Sequence, residues 1–303
     1  MNLIWLPAAL MGGLFQAWRT ASQERLRGTM SVSGAGLVRY LYGLPFALLF
    51  AGLWLGWHAT PLPALTAAFL ALAAAGGLCQ MIGTLCLILA FSHRGFVVGT
   101  AFSKTEAIQA ALFTALFFRQ NFSLLVWTGI GLGVLGVLTL ALGGQGMKAR
   151  HIWPAMRQPA ALYGLGAGAM FAFAAIAIKF ATAQLSGVDL VGSALVTLVV
   201  VMAMQSALHI GWAAARDRAT LIAVLRQYRP SAEIGLLSAL GSACWYVGFA
   251  AAPAALVRIV GQVEVIFTIA FAHFYLRQPV RWHEAQGLAL VATGVLLALA
   301  ASL

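Results

Sequence analysis

The sequence predicts an all-α integral membrane protein of ten transmembrane helices, built as two inverted five-helix repeats. Three observations carry that expectation. Of the 303 residues 62% are hydrophobic and 8% charged, with a mean hydropathy of +0.93, whereas about a quarter of a soluble domain is charged. Apolar runs near the length of about 20 residues that crosses a bilayer recur ten times. Two of those runs carry a glutamate in mid-run and align with each other without a gap.

In order, the runs are Leu3–Ser22, Gly34–Trp57, Ala64–Phe91, Gly95–Phe118, Leu124–Leu142, Ala160–Ala183, Val188–Ala213, Ala232–Ala252, Ala255–Leu276 and Ala285–Leu303. The first lacks a basic segment ahead of it and reads as a retained span rather than a cleaved signal peptide. Connections are short except at 143–159 and 214–231. The first of these, GGQGMKARHIWPAMRQP, has the glycine, proline and basic residues of a hinge. The chain thus divides into a first repeat at 1–144, a basic connecting loop at 145–159 and a second repeat at 160–303. Five spans per half is an odd number, so the halves must insert in opposite orientations.

The repeat rests on polar and glycine matches. Glu106 coincides with Glu264, Ile108 with Ile266, Phe113 with Phe271, Arg119 with Arg277 and Gln120 with Gln278. The same frame pairs Gly83 with Gly241, Gly129 with Gly287 and Gly136 with Gly294. Gly129 and Gly133 form a small-xxx-small step, and Gly164, Gly166 and Gly168 crowd the sixth span; small residues let helix backbones approach closely in lipid.

The net charge of +11 does not point to nucleic acid, because the bases lie mostly in short loops, among them Arg25, Arg27, Lys148, Arg150, Arg216, Arg218, Arg226, Arg229 and Arg281. That placement sets topology beside anionic lipid heads, and counting it places both termini outside. Cys79, Cys86 and Cys244 fall in apolar runs and read as small buried hydrophobes. A phosphate-binding loop, zinc spacing and nucleophile elbow are all missing from the sequence. Neither enzyme activity, a cofactor nor a metal is expected.

Seven acids occur, and only Glu106 and Glu264 lie near span centres. A charge at that depth costs roughly 2.5–3.5 kcal/mol, so such a residue reads first as an ion, proton or substrate site; the alternative is a neutral glutamate that fixes packing. Lys104, two residues before Glu106, is not on its helix face and is able to meet another helix, Glu264 included. Arg39 enters the second span in LVRYLYG. Arg258 is close to a span end and reads as an anchor that snorkels to the interface, as do Arg19 and Lys179. Gln109 shares the face of Glu106, and Gln262 occupies the position equivalent to Lys104. Trp18, Trp245 and Tyr246 are candidates for lining a cavity, while Trp5, Trp54, Trp57, Trp127, Trp153 and Trp282 suit an interfacial belt. His273 reads as a packed residue.

Two segments, TEAIQAALFTALFFRQ and VEVIFTIAFAHFYLRQ, are followed by Gly129 and Gly136-Val137 in one case and by Gly287 and Gly294-Val295 in the other. With Arg39 in LVRYL, they resemble the drug/metabolite transporter superfamily in its EamA-like branch, over nearly the whole chain. The family pattern L-E-P-V-F-x-x-L has its proline replaced here by Ala107 and Val265, which is expected to remove a helix kink. The glutamate at the end of that family span is replaced by Gln120 and Gln278. The resemblance implies an inner-membrane secondary transporter of small metabolites that works by alternating access, with both termini cytoplasmic, against the outside placement from counting loop charges. The expected solute is an amino acid or a similar small polar or amphipathic molecule, and the expected direction is export. Proton coupling would run through Glu106 or Glu264, with Arg39 or Lys104 taking a substrate carboxylate. The alternatives are an uncoupled facilitator and a non-transporting or lipid-handling membrane protein. The expected partners are the solute, the bilayer and protons, with the chain a monomer or a homodimer.

Overall fold

Backbone amides in hydrocarbon must find their hydrogen bonds within their own segment, and each described apolar run accordingly folds as helix. The computed structural model describes residues 3–27, 31–94, 102–119, 123–142, 157–277 and 282–300, with no strand among them. The helices are α1 (Trp5–Arg27), α2 (Val32–Leu41), α3 (Gly43–Trp57), α4 (Ala67–Arg94), α5 (Glu106–Phe118), α6 (Leu124–Leu142) and α7 (Pro159–Ala183). They continue as α8 (Leu190–Arg216), α9 (Arg218–Arg226), α10 (Tyr228–Ala251), α11 (Ala254–Gly261), α12 (Glu264–Phe274) and α13 (Trp282–Ala300). Six described segments are long and apolar enough to cross a membrane: Val32–Trp57, Ala67–His93, Pro159–Ala183, Leu190–Arg216, Tyr228–Ala251 and Ala254–Phe274. The expected hinge at 143–159 lies mostly outside the described residues.

Several helices differ from the expected runs, each for a local reason. The second run is broken at Tyr42. Pro45 cannot donate a backbone bond, and its ring excludes the carbonyl four residues earlier, which belongs to Leu41, the last residue of α2. Gly235 packs against the backbone of Tyr42 at that break, with no space for a Cβ. The long connection after the seventh run contains α9, too short to register as an apolar span. Asp217 starts it: the side chain accepts from the backbone N–H of Thr220 at 3.1 Å and from the Thr220 hydroxyl at 2.6 Å. The Thr220 hydroxyl bond first, then the backbone bond, holds this carboxyl below the usual aspartate range.

The expectation that losing the family proline removes a kink is overturned. Both spans are interrupted immediately before the glutamate, at Lys104-Thr105 and at Gln262-Val263. In the second break the amides of Gln262, Val263, Val265 and Ile266 each bond three residues back, at 2.9–3.1 Å, instead of four. In the first, the Thr105 hydroxyl donates to the Phe102 carbonyl at 2.9 Å and so enters the helical ladder. A side chain inserted there, or a tighter turn, bends a helix as a proline would.

By contacts the chain forms two compact units, residues 1–81 with 173–254 and residues 82–172 with 255–303. In the first, α1 lies antiparallel on α10. Gly12 faces Trp245, Gly241 faces Phe15, and the Ser22 hydroxyl donates to Glu233 at 3.2 Å. α3 lies antiparallel on α8, with Gly43 beside Met202 and Gly192 beside Leu55. Trp54 Nε1 donates to Asp189 at 3.0 Å, and Asp189 caps α8 through the amide of Gly192.

In the second unit the principal pairing is α6 with α13, which meet at glycine. A Cβ on Gly294 would strike the carbonyl of Gly129 and the amide of Gly133. The spans that carry the glutamates also end alike. Arg119 has φ +50° and Arg277 φ +54°, the left-handed region that disfavours any side chain by about 1–2 kcal/mol. These equivalent arginines thus repeat a local conformation as well as a letter. Arg119→Gly and Arg277→Gly are each expected to stabilise the chain by about 0.5–1 kcal/mol after the entropic cost of glycine. Thermal unfolding in detergent checks this, and an unchanged midpoint in both would refute it.

Candidate functional site

The two helix breaks of the second unit place four ionic side chains together. Lys104 comes from the first break and Gln262 from the second; Glu106 and Glu264 are the first residues of α5 and α12. At a helix N-terminus the unpaired amides and the macrodipole favour a carboxylate. Lys104 Nζ donates to Glu264 Oε2 at 2.5 Å and lies 3.9 Å from Glu106 Oε1. Arg258, on α11, brings Nη1 within 3.5 Å of the same Glu106 oxygen. The result is an alternating chain, Arg258–Glu106–Lys104–Glu264, with formal charges that cancel. All four residues are at most 4% exposed. Glu106 Oε2 is buried without a hydrogen-bond partner among the described residues.

Small residues make this approach possible. Ala107, Ala110 and Ala111 on α5 pack with Ala172 and Ala255 in one core cluster. A Cβ on Gly168 would lie 3.0 Å from the Ser103 carbonyl and 3.1 Å from Thr105 Oγ1, so α7 touches the backbone of the first break. Gln109 fixes that contact by donating to Thr105 Oγ1 at 3.0 Å and to the Leu165 carbonyl at 3.3 Å. Gln262 is buried against Gly133, where a Cβ would come within 2.8 Å of its Oε1.

Arg258 corrects the sequence reading. It does not snorkel; it is buried and paired with Glu106. Its position close to a span end points to the membrane edge, but the tight turn at Gln262-Val263 changes the helical phase and Arg258 meets Glu106 instead. The usable signal was its setting in LVRIV, with four aliphatic neighbours and no polar one. Lys179 is also not an interfacial anchor. Its ammonium donates to the carbonyls of Phe249 at 3.0 Å and Ala252 at 2.8 Å, capping the end of α10. Arg19 is likewise buried.

The other candidates belong to the first unit. Arg39 is buried on α2 with its guanidinium 5.5 Å from the Tyr40 ring centroid. Tyr246 is fully buried and its hydroxyl donates to Gln80 Oε1 at 3.4 Å. Trp245 packs on Gly12 and stacks on Phe249. Trp18 is exposed. Among the belt candidates Trp57 and Trp282 are exposed, but Trp5 is buried, a correction to its interfacial reading. Trp153 lies outside the described residues. His273 is exposed against Phe274 rather than packed inside, and the three cysteines are free and half-buried.

The described helices thus hold a buried ionic cluster of no net formal charge at two helix breaks. Residues 158–300 match the EamA-like transporter family, so the second half of the chain is similar to that family of membrane transporters. No curated protein matches it in sequence. Solved structures share the fold. One, described as "Crystal structure of protein", superimposes with a TM-score of 0.68 at 15% identity, over 98% of this chain and 97% of the other.

Proposed function

We propose that this chain is a secondary transporter of the inner (plasma) membrane, with ten spans in two inverted five-helix repeats, that exports small polar or amphipathic metabolites such as amino acids by alternating access. The observation that carries the reading is the buried chain Arg258–Glu106–Lys104–Glu264. Apolar residues of similar volume would be as stable as a buried ion pair or more so, so an ionic group kept at two helix breaks points to use. Broken spans with charged half-helix ends are where transporters hold solutes and coupling ions. In this reading Glu106 takes a proton or a substrate amine on its unpartnered Oε2. Lys104 and Arg258 exchange their carboxylate partners for one on the solute. Gln109 and Gln262 hold the two breaks in register. Arg39, Trp18, Trp245 and Tyr246 shape the path of the solute.

One observation favours a second reading. Each glutamate already faces a cation of the chain, as expected of an uncoupled facilitator with structural glutamates. Flux in proteoliposomes, with and without a proton gradient, separates the two. Under the coupled reading, Glu106→Gln or Glu264→Gln lowers gradient-driven amino-acid flux at least about tenfold, a loss of about 1.4 kcal/mol in barrier terms, while the protein stays folded. Flux that ignores the gradient and survives both changes supports the facilitator instead.

A further inference from the structure

The face of the first unit around α9 carries features that the transport site does not use. α9 joins the candidate spans Leu190–Arg216 and Tyr228–Ala251 through single residues, Asp217 and Gln227. A nine-residue helix held that way between two spans lies at the membrane surface where they emerge. It is amphipathic: Thr220 and Val224 are buried, while Ile222 is 49% and Leu225 55% exposed. Arg218 and Arg226 are exposed at its two ends, with Arg216 and Arg229 beside them on the adjoining spans. Exposed aliphatics flanked by arginines are the composition of an interfacial helix on anionic lipid. Two acids lie near these arginines: Asp217 has both oxygens engaged by Thr220, and Glu233, exposed four residues after Arg229, accepts from the Ser22 hydroxyl at 3.2 Å. Arg218 Nε donates to the Ala214 carbonyl at 3.0 Å, which fixes that guanidinium at the end of α8.

A second observation lies deeper along the same helix. A groove of about 340 Å³ runs between α4 and α8, lined by Ala74, Leu78, Met204, Ala207 and Leu208. Its one amide, Gln205, is turned away into bonds with the Gly77 carbonyl at 2.9 Å and Gln80 at 3.1 Å. From Leu208 an exposed stripe continues through Gly211, Trp212 and Ala215 to Arg216. A Cβ on Gly211 would meet no atom within 4 Å, so the stripe is open at its middle. Eight helical residues span about 12 Å, which puts the groove at acyl-chain depth within a leaflet of about 15 Å.

We propose that this face is a binding site for an anionic phospholipid. Arg216 and Arg218 hold the phosphate, Arg226 and Arg229 extend the basic surface along α9, and one acyl chain lies over Gly211 and Leu208 into the groove. Charge selects the headgroup and the groove selects a chain-bearing ligand.

The test uses the full chain in detergent. Its thermal midpoint is titrated with phosphatidylglycerol, with phosphatidylcholine of the same chains, and with glycerol phosphate. Phosphatidylglycerol is expected to raise the midpoint well beyond phosphatidylcholine, and glycerol phosphate to leave it unchanged. In Arg216→Gln/Arg218→Gln the half-saturating phosphatidylglycerol concentration is expected to rise at least about tenfold, from the loss of two surface cations. Gly211→Trp, which fills open space without touching the core, should raise it as well. Phosphatidylcholine acting as strongly as phosphatidylglycerol, glycerol phosphate matching it, or both variants responding like the parent would overturn the proposal.

Discussion

Lys104→Met is expected to destabilise the chain by about 3–5 kcal/mol, and adding Glu264→Gln to return most of that loss. Lys104 and Glu264 are both 2% exposed and their charged atoms are 2.5 Å apart. Removing the ammonium leaves a carboxylate in a place where water cannot replace its partner, and the penalty is that of an uncompensated buried charge. Removing both charges leaves two groups of similar size, and such exchanges of a whole pair are often neutral. Glu264→Gln alone should be the milder single change, because Lys104 keeps Glu106 at 3.9 Å. Thermal unfolding of the two singles and the double gives the coupling directly. Additive losses would mean that the pair contributes nothing as a pair, and that the cluster is not the organising feature of the site. The same series bears on function, since a variant stable enough to reconstitute but unable to move solute separates the two roles of the pair.

How far the sequence reaches can be argued from particular residues. Leu124–Leu142 has the same ends in both readings, because an uninterrupted apolar run in lipid has no other way to bond its amides. Glu106, Glu264 and Lys104 were legible as chemistry because a charge in such a run is rare enough to need a reason. What escaped were features set by local phase. The breaks before Glu106 and Glu264 come from three-residue turns and a threonine hydroxyl, neither of which announces itself as a proline does. Arg258 lies close to a span end in the sequence, a position that by itself points to the membrane edge, whereas the turn at Gln262-Val263 lets it pair with Glu106 in the interior. The break at Tyr42 was readable, since Pro45 sits four residues after Leu41. α9 was missed for the opposite reason: it is a surface helix, nine residues long with an arginine at each end, and hydropathy does not see it.

Gly294→Leu is the second large effect expected, a loss of about 1–3 kcal/mol or more from overpacking. The atoms a side chain would meet are the carbonyl of Gly129 and the amide of Gly133. Both are backbone, so no rotamer change relieves the clash and α6 and α13 must separate. Small residues exist at such crossings because lipid supplies no hydrophobic drive to hold helices together, and close packing must do so. The damage should reach the ionic cluster. Gly133 also supports Gln262, in the turn just before Glu264, so a shift of α6 moves the backbone that aims that carboxylate at Lys104. Gly131→Leu supplies the comparison, since nothing lies within 4 Å of a Cβ there. It should be neutral, or stabilising by up to about 1 kcal/mol from helix propensity. Unfolding midpoints together with solute flux decide the matter. A loss in Gly294→Leu with Gly131→Leu unharmed assigns the effect to the backbone crossing, whereas equal losses would mean that α6 tolerates no added bulk and that the glycine contact plays no special part.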